Sequence, residues 1–212
     1  YSEYGELLWE RKDASAIELW EKGIRVDPAY SGNYYNAATY YYYTKDRVWS
    51  LIYGEIFVNM ESLSERGATM KQLLLKAYKE KLFADGNVTA GQDRNKNEFS
   101  RAVLDCINKQ ASLVSQGGVT TDILTMIRTR FILDWYDKYA TKFPFKLFDY
   151  ERQLIQEGMF PAYNQWLFGT VENLSAYEGW TKAHDEEYRN FTAFQKSRIF
   201  KMPQGQYYQD DK

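Results

Sequence analysis

Apolar side chains recur three and four positions apart through most of the chain, the spacing of one helical face. Met70, Leu73, Leu74, Ala77 and Tyr78 make such a stripe within residues 67–84. Phe99, Val103, Leu104, Ile107 and Leu113 predict a helix over residues 98–115, ended by Gly117-Gly118. Ile123, Ile127, Phe131, Leu133, Trp135 and Tyr139 predict another over residues 123–142, with Thr121 or Asp122 as its N-cap. Between the first two stripes, residues 85–97 are the most polar and glycine-rich of the chain and predict a long loop.

Pro144 marks a boundary to shorter helices. They are expected over residues 149–157, with Gly158 at the C′ position, and 161–168, with Pro161 at N1 and Gly169 at the end. Two more follow over residues 172–182 and 185–198. Asp185 is placed to cap the last, and Glu186 and Glu187 fall in its first turn, where the macrodipole favours acids. Residues 201–212 are expected to run extended.

The first third carries an internal period. Ala16, Trp20, Gly23 and Pro28 shifted by 34 give Ser50, Gly54, Phe57 and Ser62. The second set keeps the small Ser50 but exchanges the next two types, whereas the first has the order small, aromatic, small, Pro that ends one unit of a known helical repeat. Its other helix opens W-x-x-L-G-x-x-Y, and Tyr34, Ala37, Ala38 and Tyr41 match that spacing, as do Tyr1, Tyr4, Gly5 and Leu8. Residues 1–62 therefore resemble the tetratricopeptide repeat (TPR) family, with a third unit from about Glu65. Gly158–Gly169 and Arg198–Tyr208 look like the ends of uncharacterised TPR-type proteins from Bacteroidetes. The resemblance implies a bacterial, exported, periplasmic protein and no catalytic residues; a cytoplasmic one is the alternative. A first residue Tyr1 in place of Met is expected if a leader has been removed.

The expected fold is all-α: TPR-like hairpins (an α-α superhelix) over residues 1–84, the loop 85–97, helices over residues 98–200 packed on the hairpins as one continuous domain, and the tail 201–212. Composition agrees. Six Trp, 19 Tyr and 12 Phe against only four Pro favour helices packed through rings. A 44% apolar and 26% charged content is that of a globular chain rather than a disordered one. A net charge of -2 gives no basic field for nucleic acid. No run approaches the ~18 apolar residues of a membrane span.

Candidate chemistry is thin. Cys106 and His184 are the only Cys and His, so neither a disulfide nor a Cys/His zinc site can form within one chain. His184 beside Asp185–Glu187 could serve as a base, but the segment is explained as a helix start, and no G-x-S-x-G motif accompanies it. Oxygens alternate from Asp85 to Asn97, yet the sixth and twelfth positions are Ala90 and Lys96 where an EF-hand needs Gly and Glu. No P-loop or Rossmann glycine motif occurs. No cofactor, metal site or catalytic residue is assigned.

Ligands of the TPR family lie in the groove lined by the first helix of each unit. The register from Pro28 puts Tyr35, Asn36, Thr39, Tyr42 and Tyr43 there, with Glu6 and Trp9 from the first unit and Arg66 from the third. The family's two-Lys, two-Asn, one-Arg carboxylate clamp is not matched. Asn36 fits one position and Arg66 stands for a Lys, whereas Ser2, Glu6 and Met70 replace the rest. The expectation is a non-catalytic module that binds a protein or peptide through Trp9, Tyr35, Asn36, Thr39, Tyr42, Tyr43 and Arg66. Two rivals stay open: a glycan- or nutrient-binding envelope protein, and an enzyme. So does the possibility that the later helices fill the groove.

Overall fold

The computed structural model describes residues 1–44, 46–84 and 97–209, and among these every regular element is helical. The N-terminal part is a run of antiparallel helices: α1 (Ser2–Glu10), α2 (Ala16–Val26), α3 (Ser31–Tyr43), α4 (Arg47–Met60) and α5 (Glu65–Lys76). Alternate members also touch, so α1, α3 and α5 lie side by side. Small residues set the closeness. A Cβ on Gly5 would stand 2.3 Å from the Trp20 indole nitrogen, and one on Gly54 would stand 2.8 Å from Leu74 Cδ2. Real Cβ atoms do not approach that closely, so these two glycines fix the α1–α2 and α4–α5 distances. Ala16, Trp20, Tyr34, Ala38 and Tyr41, singled out by the 34-residue period, are all buried.

The period hides a change of winding. The helix expected over residues 67–84 is α-helical only to Lys76 and then π-helical over Ala77–Leu82. Residues 85–96, which hold nearly all of the expected loop and its oxygen-rich run, lie outside the described residues. Asn97 caps the next helix, accepting from the Ser100 amide.

The expected 98–115 helix is two: α6 (Glu98–Asn108) and α7 (Ala111–Gly117), broken at Lys109-Gln110. α8 (Thr121–Lys138) is capped by Thr120, one residue ahead of the expected cap, and Leu133, counted with the apolar stripe, points outward because two residues from Phe131 is the opposite side of the helix. α9 (Lys146–Gln156) begins three residues early and ends at Gly158, whose φ of 71° is the left-handed value that glycine tolerates. α10 (Phe160–Asn164) has Pro in its first turn. The chain then continues through a second π-helical turn, Gln165–Gly169, into α11 (Thr170–Glu172), so Gly169 does not end the helix as expected. α12 (Leu174–Ala183) is capped by Asn173 and α13 (Asp185–Lys196) follows. His184, not Asp185, is its N-cap and gives no side-chain cap bond.

α4 is the centre of the molecule. Its sequence is apolar on every side, and it packs on α3, α5 and α6 at once. Beyond it, Phe99 sits fully buried among Trp49, Trp135, Phe143, Phe145, Phe148 and Tyr208, with ring centroids 4.8–6.1 Å apart. Residues 201–209 carry no helix and return to the N-terminal hairpins. Gln204 bonds the Val26 carbonyl at 3.2 Å and Gln209 the Tyr41 hydroxyl at 2.9 Å.

Candidate functional site

The residues expected to bind a partner lie together on the α1–α3–α5 face. α3 turns two rows toward its neighbours. Asn36 and Tyr40 face α1: the Asn36 amide donates to Glu6 at 2.8 Å and to Ser2 Oγ at 3.3 Å, and Tyr40 meets Trp9 at 5.2 Å. Tyr35 and Tyr42 face the other way. Tyr35 packs on Phe57 at 5.0 Å, and the Arg66 guanidinium lies over both rings at 5.4 Å. Tyr42 donates to Glu80 at 3.2 Å under the Lys81 ammonium. Thr39 stands between the rows and bonds back to the Tyr35 carbonyl.

Among the described residues, the later helices do not fill this face. α3 packs on α1, α2, α4 and α5, and its inner side chains stay half-buried. Tyr43 is 68% exposed and Trp9 38%. Polar groups are already partly committed: Asn36 uses its amide nitrogen on Glu6 and Ser2, and Arg66 is paired with Glu61 at 2.6 Å. What remains for a ligand is phenol and indole surface, the Asn36 carbonyl oxygen and the half-exposed guanidinium.

A second polar constellation was not anticipated. Arg128 of α8 is buried and ion-paired through one nitrogen to both Glu55 of α4 and Glu151 of α9, the latter at 3.0 Å. Its other nitrogen donates to Asn164 at 2.5 Å. Tyr163 donates to Glu55 at 2.7 Å, and Asn59 donates to Tyr163 at 2.7 Å. One cation faces two acids. Burial, with the Glu55 carboxylate alongside, holds Glu151 well above the usual carboxylate range in spite of Arg128. Burial works against the charge on Arg128, and the two carboxylates outweigh it, keeping it protonated. The cluster thus sets two carboxylates against one cation, and burial favours the protonated form of Glu151.

Acids sharing a proton can do acid–base chemistry, but size decides otherwise here. The adjoining cavity, walled by Val48, Leu51, Ile127, Phe131 and the cluster itself, measures about 40 Å³. That admits a water or two, whereas organic ligands need about 300 Å³ or more. The cluster joins α4, α8, α9 and α10 in one network, so its work is to fix the later helices on the hairpins. Glu55 did leave a signal: it is the single acid or base in the apolar run from Val48 to Met60. Arg128 and Glu151 sit in helices with many charges and left none.

Other titratable groups are accounted for. Lys71 is buried, donates to the Trp166 carbonyl at 2.8 Å and lies 3.8 Å over that indole. With no carboxylate beside it, burial pushes its ammonium down to about 7. Cys106 is buried, which pushes its thiol up to about 12. His184 is exposed at the α12–α13 junction, stacked on Trp180 at 4.3 Å, with Nδ1 3.0 Å from the Trp180 carbonyl. No group of three or more His, Cys, Asp or Glu among the described residues is placed to hold a metal, and no helix there is long and apolar enough to cross a membrane. Compared with models of known protein families, with curated proteins and with solved structures, the chain shows no match.

Proposed function

We propose that the chain is a TPR-type interaction module that binds a protein or peptide along the α1–α3–α5 face, through Trp9, Tyr35, Asn36, Thr39, Tyr42, Tyr43 and Arg66. The observation that supports this reading is that, among the described residues, the helices after residue 97 pack elsewhere on the hairpins and leave this face open. Exposed phenol and indole rings beside a carbonyl acceptor and a guanidinium supply apolar anchoring and hydrogen bonding together. A sugar platform fits less well. Tyr42 and Tyr43 stand at 87° and Trp9 and Tyr40 at 62°, so no two rings offer a flat stacking surface.

The test is a photo-crosslinking amino acid at position 43, compared with one at exposed Leu133 on α8. A partner captured only from position 43 is then measured against Tyr43→Ala and Tyr35→Ala. Losing a central aromatic anchor costs about 2 kcal/mol, so binding should weaken more than roughly tenfold. Equal capture from both positions, or affinities within about twofold of wild type in variants that keep their helical spectrum, would overturn the proposal.

A further inference from the structure

A different groove, remote from α1 and α3 in sequence, gathers four independent peculiarities. It measures about 380 Å³ and lies between the end of α4, α9 and the end of α13. Leu63 and Ile199, which line it, are the two most exposed large apolar side chains among the described residues, at 91% and 83%. Lys146, Lys196 and Arg198 line it too, and no carboxylate does. In a chain whose acids outnumber its bases, 29 to 27, this is a local inversion of charge.

None of the three cations faces a carboxylate partner among the described residues. Arg198 bonds only the neutral Gln153, at 2.9 Å, and rests on the Phe194 ring, while Lys146 and Lys196 are in no ion pair among the described residues. Lys196 at the end of α13 suits the helix dipole. Lys146 does not, since it is the first residue of α9, where the dipole favours an acid. Finally, Gln195 lines the groove, and its amide nitrogen is buried without an acceptor. A buried donor left unpaired is costly, and an oxyanion would satisfy it.

We propose that this groove binds a single-tailed anionic amphiphile, with a carboxylate among Lys146, Lys196, Arg198 and the Gln195 amide and an alkyl tail against Met60, Leu63 and Ile199. The volume is that of a small-ligand site, and apolar walls with a few convergent polar groups are what such sites present. A carboxylate answers the three cations, and a tail covers the two side chains that water leaves unburied.

The experiment is calorimetric titration of the intact chain with decanoate, below its micelle concentration and at low salt. Decyltrimethylammonium, decyl glucoside and butyrate serve as controls for head group and tail. One decanoate per chain is expected, at least tenfold tighter than any control, and weakened by added salt. Lys146→Gln/Lys196→Gln and, separately, Leu63→Asn/Ile199→Asn should each weaken it at least tenfold with an unchanged melting curve; these side chains are on the surface, so the variants should fold. Tyr43→Ala should leave it unchanged, which keeps this test distinct from that of the α1–α3–α5 face. Equal binding of all three decyl compounds would mean an apolar patch alone, and butyrate matching decanoate would mean an anion site alone. Either result overturns the proposal, as would unaltered decanoate binding in both double variants. So would a chain that ignores decanoate yet binds vesicles of phosphatidylcholine with phosphatidylglycerol through Leu63 and Ile199, which would make the face a membrane contact.

Discussion

Arg128→Met should destabilise the protein in a way that depends on pH. The substitution keeps most of the stem but removes the one cation facing Glu55 and Glu151. Burial already favours the protonated form of Glu151. In the variant the other acid must take up a proton as well, or remain a buried, unpaired charge. Protonating a glutamate of ordinary pKa, about 4.3, costs about 3.7 kcal/mol at pH 7 and about 1 kcal/mol at pH 5. The first figure falls within the roughly 3–5 kcal/mol that broken buried pairs usually cost. With a urea slope near 3 kcal/mol per molar for a chain of this size, the unfolding midpoint should fall by about 1.2 M at pH 7 and by about 0.3 M at pH 5. Tryptophan fluorescence and far-ultraviolet circular dichroism would both follow the transition. The Arg128 guanidinium also lies 5.3–5.5 Å over the Phe160, Tyr163 and Phe168 rings, and a fall equal at the two pH values would show that this packing governs the site, not charge. A fall under about 0.3 M at pH 7 would refute the whole account of the cluster.

Glu151→Gln should be neutral or stabilising at pH 8. The raised pKa of Glu151 contributes stability that is complete below the unfolded value and is lost as pH rises toward the folded one. The wild-type stability curve should therefore fall more steeply above about pH 5 than the variant's, and parallel curves would count against a protonated Glu151. Tryptophan emission in a His184→Gln background, which removes the imidazole stacked on Trp180, should change with a midpoint near pH 7. That change should vanish in Lys71→Met; a transition that persists there would belong to another group. Gly54→Ala should cost about 1–3 kcal/mol by pushing α4 off Met70 and Leu74, read as a lower melting temperature. An unchanged melting temperature would mean that this helix contact is slack.

Helix existence was legible because it rests on periodicity, and the small-residue positions were legible because close approach admits few residue types. Ala16 and Ala38 follow from that, and Trp20 from the ring that the same pattern sets four residues after the small one. Boundaries were less so. The split at Lys109-Gln110 carries no Gly or Pro, and the starts of α8 and α9 are set by tertiary contacts. Thr121, at the start of α8, gives its amide and hydroxyl to Glu172, 51 residues on. Leu133 failed because it stands two residues from both Phe131 and Trp135, about 200° around the helix from each, and so never shared their face. The positions of Tyr35, Asn36, Thr39, Tyr42 and Tyr43 on one helix could be read from their spacing. Whether later helices covered them could not, since that turns on long-range packing. The 380 Å³ groove was invisible for the same reason: its residues come from three segments between Asn59 and Phe200.

The two π-helical turns carry a consequence for how this chain tolerates change in length. A π turn closes i to i+5 instead of i to i+4, so it houses one residue more than an α turn covering the same axial distance. Deleting a single residue within Gln165–Gly169 would let the helix relax to ordinary winding without breaking it, whereas a deletion inside α4 would rotate every later side chain by about 100° away from its partners. The same deletion would remove the wide turn that presents the Trp166 carbonyl to Lys71. A library of one-residue deletions should therefore recover folded chains at these turns before any other helical position, with Lys71 released from its buried acceptor in those shortened within Gln165–Gly169.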